Sequence, residues 1–567
     1  MKKYLTNIFY TASALTVVLF TSCEKKLDEA FPNPNAQVKQ PIESLLPGII
    51  ANMVVSHSAN GTLYGTHRDG QYIGKFIQYW ETNSTLNRQD QMSDWFGTST
   101  PDLMGDIWAM HYYGHGQNIE RMIEWGTEEK KWDYVGVAQA IRAWGWLTLT
   151  DVTDDVILYE AFNPAQLVFK YDPQSEVYKV VRRLCMQALD NLNKTGDGVN
   201  QANLAISDAY FNNGDMEKWK RFVYGVMART YNRYTNKGAE YKPDSVIYWA
   251  NKYLEGAGAT TNLRITWSND GGSGTYNWYS PFRGNIGTFR QSKFIADLMM
   301  GDNSRFTRTN IADTIDPRAW YIIRENPNST FKGIRPNKGT DGLPTNDQPA
   351  NYWGGAFSST TAPSSDAGSR YIFKNKALWP MMTASEMHFL KAEAYYRKAD
   401  KPNALTSYIA AINSNFDHLI ANYEESVPAA NKITPAKRTV FFDNPTNIPS
   451  SANLTLSHIM LQKYIAMYGW GFIETWVDMR RFHYTDNESG QQAFKSDGTV
   501  VFPQSQQVYA DFTPPTGTDL YTGNNAKWIY RERPRYNSEY LYNVAELNRL
   551  GAFASDYITK PCWFSEP

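Results

Sequence analysis

The chain has 567 residues, with 56 Lys and Arg against 57 Asp and Glu and a formal net charge of −1. That balance offers no basic face for a nucleic-acid partner. Hydrophobic content of 42% beside 20% charged residues excludes a disordered chain, and three cysteines are too few for a disulfide framework.

Lys2 and Lys3 precede an apolar run from Ile8 to Phe20, then the small residues Thr21 and Ser22, then Cys23. The run is too short for a membrane span and suits a signal-peptide core. The order resembles a bacterial lipoprotein signal, so residues 1–22 are expected to be removed and Cys23 to be lipidated. No later stretch is long and apolar enough to cross a bilayer, which leaves the acyl chains as the expected anchor. Residues 23–41, charged and then Pro/Asn-rich, read as a tether.

Helical patterning begins near Ile42 and continues to about residue 255. Tyr134, Val137, Ala138, Ile141 and Trp144 form one face of a helix. Asp172-Pro173 opens another, which carries Leu184, Leu192 and the core-facing Cys185. Trp219, Phe222, Val223, Val226, Met227, Thr230, Tyr231 and Tyr234 follow the i, i+3, i+4, i+7 rule, and Val246 to Leu254 supplies a partner helix. Helices with two apolar faces are satisfied by stacking.

The character changes over 256–380, where Gly, Asn, Ser, Trp and Tyr dominate and a long polar excursion runs from Asn326 to Leu378. Loops of that length are usually functional surface. Periodicity returns in 381–567. Thr383 and Glu386 have capping-box spacing, Lys401-Pro402 marks a turn, and Ala404 to Asn413 forms a second helix. The order Ala392, Tyr395, Ala404, Tyr408, Ala411 matches tetratricopeptide offsets. Leu456 to Trp476 reads as one further helix, ended by Asp478, Arg480 and Arg481, which suit a buried salt-bridge corner or an anion site, the corner being preferred at a helix end beside Trp476.

Aromatic content is 14%, with 18 Trp and 37 Tyr. A flat ring with a polar edge suits the C–H face and hydroxyl rim of a sugar. Trp80, Trp95, Phe96, Trp267, Tyr276, Trp278, Tyr279, Phe282 and Trp353 lie in polar surroundings outside the helical rows. They are therefore expected to be exposed and to contact ligand. His111 and His115 share a four-residue spacing that could place two imidazoles on one face, but no third ligand has a recognisable spacing, so they read as structural. No HExxH, GxSxG, Walker or EF-hand pattern is present. No catalytic residue, metal or cofactor is assigned.

Taken together, the segments resemble the SusD/RagB family of outer-membrane nutrient-binding lipoproteins. The matching pieces are Cys23, IRAWGWLTLTDVTDD at 141–155, GDMEKWKRFVYGVMARTYNR at 214–233 and DPR at 316–318. Further matches are WPMMTASEMHFLKAEAYYR at 379–397, QKYIAMYGWGFIETWVDMRR at 462–481 and RPRYNSEYLYN at 533–543. The family's Gly-Asp-Val-Pro after the early helix is replaced here by Asp154-Asp155-Val156-Ile157.

The resemblance implies an all-α-dominated fold of tetratricopeptide-like helix pairs supporting a loop-rich irregular half. It implies a single SusD-like domain over 42–567, with helix repeats in 42–255, a ligand-facing part in 256–380 and the last helix pair in 381–567. It also implies a lipid-anchored, outward-facing protein at the outer membrane that passes captured oligosaccharide to a SusC-like TonB-dependent transporter, without catalysis. A peptide ligand, as in RagB-like members, is the alternative, and a glycoside hydrolase is a further one.

Overall fold

The computed structural model describes residues 39–55, 64–85, 104–255, 262–268, 276–307 and 315–567. Cys23, Trp95 and Phe96 lie outside the described residues. The helical rows fold as their spacing predicts. They form α1 (Leu46–Asn52), α2 (His67–Phe76), α3 (Gly116–Glu128), α4 (Trp132–Thr153), α5 (Gln174–Leu192), α6 (Met216–Asn232) and α7 (Pro243–Leu254). Each of α3 to α7 packs on the next. Helix α4 touches α3, α5 and α6 and is buried from Asp133 to Thr153, which is why its sequence is apolar on every side. Pro173 sits just before α5, at its N-cap, one place earlier than the first-turn position expected.

The second helical block continues the same stack. Helix α8 (Ala384–Arg397) packs on α9 (Lys401–Tyr423), on α7 and α6 behind it, and on α10 (Leu456–Ala466). Small residues Ala392, Ala404 and Ala411 are fully buried where the helices approach, with Tyr408 beside them and Tyr395 half-buried. Thr383 caps α8 by accepting from the Glu386 N–H at 3.1 Å. Glu386 does not complete a capping box; its carboxylate takes Arg229 Nε and Nη2 at 2.6 and 2.8 Å. Pro402 lies in the first turn of α9, which Asp400 caps and which runs past Asn413 to Tyr423. The helix expected from Leu456 to Trp476 is two, α10 and α11 (Phe472–Arg481). Between them Gly469 takes φ +81°, and a Cβ there would stand 2.7 Å from Ile372.

Buried ion pairs tie these helices together. Arg481 donates to Glu393 at 2.7 and 2.9 Å and to Asp478 at 2.7 Å, and Lys463 pairs with Asp478 at 2.7 Å. Arg233 bridges Asp151 at 2.7 Å and Glu474 at 2.6 Å. Burial alone would lower the Arg481 and Arg233 pKa values; their carboxylate partners outweigh it and hold both above the ordinary value. Glu474, which burial would raise, is brought to about 2 by Arg229 and Arg233.

The loop half has almost no regular ladder. Strand β1 (Trp80–Thr82) pairs antiparallel with β3 (Phe289–Gln291), and β2 (Leu263–Ile265) with β4 (Trp379–Met382). Irregular backbone leaves carbonyls without ladder partners, and buried arginines supply the donors. Arg290 donates to Phe357 O at 3.0 Å, Gly287 O at 2.9 Å and Ser359 O at 2.9 Å. Arg324 donates to Tyr352 O at 3.2 and 2.8 Å and to Gly368 O. Arg533 holds Ala552 O, Ala554 O and Ser555 O at 2.6, 2.8 and 2.7 Å. With no carboxylate bonded to either, burial pulls Arg290 down to about 10 and Arg324 to about 9.

At the departure from the family pattern, Asp154 occupies the glycine's place with φ +75°. Its carboxylate accepts from Trp563 N at 2.8 Å and pairs with Arg531 at 2.8 Å, contacts that offset the backbone strain. One contiguous apolar cluster extends from Ile42 to Phe564 and includes Cys185 and Cys562. Among the described residues, no helix is long and apolar enough to cross a membrane.

Candidate binding site

Three segments far apart in sequence meet at an open cleft of about 560 Å³. The first is Trp108, Tyr112 and Tyr113, carried by a short helix, Asp106–Ala109, that widens into a π-helical turn, Met110–Gly114. The second is the loop after α4, with Ile157, Ala161, Phe162, Leu167 and Phe169. The third is Ser538, Glu539, Tyr542 and Asn543, on and just after another π-helical turn, Tyr536–Tyr540. Wide turns of this kind recur at functional sites.

Cross-bonds fix the walls. Tyr112 Oη donates to Ile157 O at 2.8 Å, and Tyr113 Oη and Ser538 Oγ share a hydrogen bond. Asn543 Nδ2 donates to Phe169 O at 2.8 Å. Trp108 packs against Tyr112 with ring centroids 4.5 Å apart and meets Tyr113 edge-on at 5.3 Å. The most exposed rings are Tyr113, at 53%, and Tyr542, at 69%, with Leu167 at the rim and Arg535 standing 5.8 Å over the Tyr113 ring.

The polar equipment is small and placed. Glu539 Oε2 accepts from Tyr171 Oη at 3.0 Å and Asn543 Nδ2 at 2.8 Å, and Oε1 takes neither bond. Burial raises the Glu539 pKa, against the lowering effect of those two donors. The buried Trp108 indole N–H has no partner among the described residues. Rings that can stack beside one carboxylate suit a hydroxyl-rich ring.

His111 and His115 lie behind this wall, fully buried, with ring centroids 6.0 Å apart. The His111 ring lies against Trp146 at 4.0 Å. Burial lowers the pKa of both, His115 to about 3, and no third metal-capable residue joins them among the described residues.

The loop aromatics sit elsewhere, and the expectation that they are exposed is corrected. Trp80, Trp267, Tyr276, Trp278, Tyr279 and Trp353 are buried. A long loop without ladders needs its own core, and a ring with a polar edge fills space while bonding a main-chain carbonyl, of α2 or of another loop segment. Trp80 Nε1 donates to Gln71 O at 3.0 Å, Tyr279 Oη to His67 O at 3.0 Å, and Trp353 Nε1 to Tyr279 O at 3.0 Å. Tyr279 stacks on Trp379 at 5.5 Å, and Arg283 lies 5.0 Å over Trp278. Phe282 alone of the six loop rings from Trp267 to Trp353 is exposed, at 56%, and it covers Tyr276 with centroids 3.8 Å apart. Sequence reasoning missed the cleft itself. The signal available was the run Trp108, Tyr112, Tyr113 around the two histidines, which drew notice only for its imidazoles.

A stack of helix pairs carrying a loop-built, ring-lined cleft defines a repeat-scaffold binding protein. The chain belongs to the SusD-like family, described as starch-binding associating with outer membrane, whose model matches residues 34–503. Solved structures agree in fold. A SusD/RagB family protein from Bacteroides thetaiotaomicron is similar with a TM-score of 0.62 at 19% identity, over 93% of this chain and 99% of that one. A SusD homologue from Bacteroides fragilis gives 0.61 at 16% identity, over 92% and 100%. A SusD homologue from Flavobacterium johnsoniae, described as chitin-binding, gives 0.60 at 17% identity, over 92% and 98%. Among proteins with curated descriptions, none matches this chain.

Proposed function

We propose that the chain is a lipid-anchored surface protein that captures oligosaccharide in the aromatic cleft and delivers it to a SusC-like TonB-dependent transporter of the outer membrane. The observation that carries the sugar-binding part is the pair of exposed rings, Tyr113 and Tyr542, beside Glu539 and Asn543. Family membership supports the transporter partnership and the outer-membrane site, and the Cys23 signal supports the anchor. Capture without cleavage agrees with the cleft's lining, in which Glu539 is the single carboxyl among the described residues, whereas glycoside hydrolysis uses two.

Calorimetric titration of the purified protein with starch and chitin oligosaccharides tests this. Tyr542→Ala should weaken binding roughly 2- to 10-fold, the loss of one stacking face, with thermal stability nearly unchanged. Absence of binding to every glycan, or binding indifferent to Tyr542→Ala, defeats the reading of the cleft. Incorporation of labelled palmitate that disappears in Cys23→Ala checks the anchor.

A further inference from the structure

A second cleft, of about 450 Å³, opens in the loop half. Its lining includes Arg324, Glu325, Asn326, Gln348, Ser358 and Arg370. Arg370 is fully engaged with Glu325, Nη1 to Oε2 and Nη2 to Oε1, both at 2.7 Å. Arg324 is 4% exposed and bonds only carbonyl oxygens, Tyr352 O and Gly368 O. Directly beneath, Arg290 likewise bonds carbonyls, including those of Phe357 and Ser359 on either side of the lining residue Ser358. Two guanidiniums therefore line the cleft against one carboxylate, and that carboxylate is committed to Arg370. Two cations that share one carboxylate leave an excess positive charge that is costly when buried, and an anion at the cleft would relieve it.

We propose that this cleft is a binding site for the carboxylate of an acidic saccharide, a uronate, separate from the aromatic cleft and with Arg324 and Arg370 as its cationic wall. Planar guanidinium groups match a carboxylate better than any other side chain does. The rim favours a sugar as the bearer of that carboxylate. Asn326, Gln348 and Ser358 present amides and a hydroxyl to ring hydroxyls, and the lining contains no strand edge of the kind that extended peptides join. Burial, with Arg370 acting in the same direction, holds the Arg324 pKa down to about 9 against the raising effect of Glu325, which is shared with Arg370.

The test is titration of the purified protein with trigalacturonic acid and with its methyl ester, which has the same shape and no charge. The acid should bind about tenfold tighter than the ester at low salt, and the advantage should shrink as salt rises. Glu325→Gln removes the competing carboxylate and frees Arg370, so the acid should bind roughly threefold tighter still. Arg324→Gln should abolish the preference; if that variant fails to fold, the Glu325→Gln result decides alone. Tyr542→Ala should leave the preference for acid over ester in place even where it weakens total saccharide binding, because no cation is among the described residues that line the aromatic cleft, and this separates a failure here from a failure of the aromatic-cleft reading. Equal binding of acid and ester, unchanged affinity in Glu325→Gln, or binding of a neutral tripeptide without binding of trigalacturonate overturns the assignment.

Discussion

The helical and loop halves bury the same cation and lean on different partners for it, with Arg318, paired with Asp316 at 2.7 Å, an exception in the loop half. In the helix stack Arg229, Arg233 and Arg481 meet Glu386, Asp151, Glu474, Glu393 and Asp478. In the loop half Arg290, Arg324 and Arg533 meet main-chain carbonyls. The difference follows from the backbone. A helix satisfies most of its own carbonyls, so Arg229, Arg233 and Arg481 turn mainly to carboxylates, although Arg229 also donates to Met381 O at 2.9 Å and Arg480 to Tyr530 O at 2.7 Å. An irregular loop has carbonyls to spare, and a fork of five donors gathers several at once. One half is locked by charge, the other by a cation acting as a clasp.

This contrast can be broken most forcefully at Glu393. Glu393→Leu leaves Arg481 buried without its main partner and should cost about 3–5 kcal/mol of global stability, read from urea unfolding. A loss near zero would mean that Asp478 alone suffices for Arg481. At Arg290 the expected damage is smaller and local. Arg290→Met deprives three or more carbonyls of a donor and should cost about 1–3 kcal/mol. Hydrogen exchange should show protection lost around residues 352–360 while α4 to α8 keep theirs; uniform loss across both halves would refute the separation.

Acid should act chiefly on the helical half. Burial lowers the pKa of His115, His418 and His458 to about 3 and of His388 to about 4, and holds His67 and His111 well below the ordinary value. Folded values below the unfolded one mean that the stability these sites contribute is present above about pH 6.5 and is lost as pH falls through the folded values. These histidines therefore pull the urea midpoint down from pH 7 to pH 4, against Asp69, Asp155 and Asp208, whose burial raises their pKa values and acts in the opposite sense, and the downward pull should be weaker in the double variant His111→Leu, His115→Leu. The smallest effect belongs to Phe282→Ala, which removes an exposed lid over Tyr276 and should change stability by no more than about 0.5–1 kcal/mol in a thermal melt.

What could be read from the residues was what local chemistry decides. The Thr383 cap, the apolar rows of α4, α5 and α6, and the small-aromatic alternation of α8 and α9 each depend on neighbours within a few positions. The corner at Asp478 and Arg481 was legible for the same reason, although its main partner, Glu393, comes from α8. Exposure of the loop aromatics was misjudged because composition reports surroundings in sequence, and these rings are enclosed by segments far away: Trp353 by Tyr279, and Tyr279 by His67. The cleft was illegible on the same grounds. Its walls come from residues 108–113, 157–169 and 538–543, and nothing in any one of them announces the other two.

The two π-helical turns, Met110–Gly114 and Tyr536–Tyr540, give this architecture a way to vary. Each accommodates about one more residue per turn than the ordinary coil, so gaining or losing a single codon there re-aims the following side chain by roughly 100°; at Met110–Gly114 the helices on either side stay in phase, and at Tyr536–Tyr540 the extended backbone at Arg535 takes up the change. A lineage could thus exchange the rings it offers to new foods in single genetic steps, without renegotiating the framework that holds them.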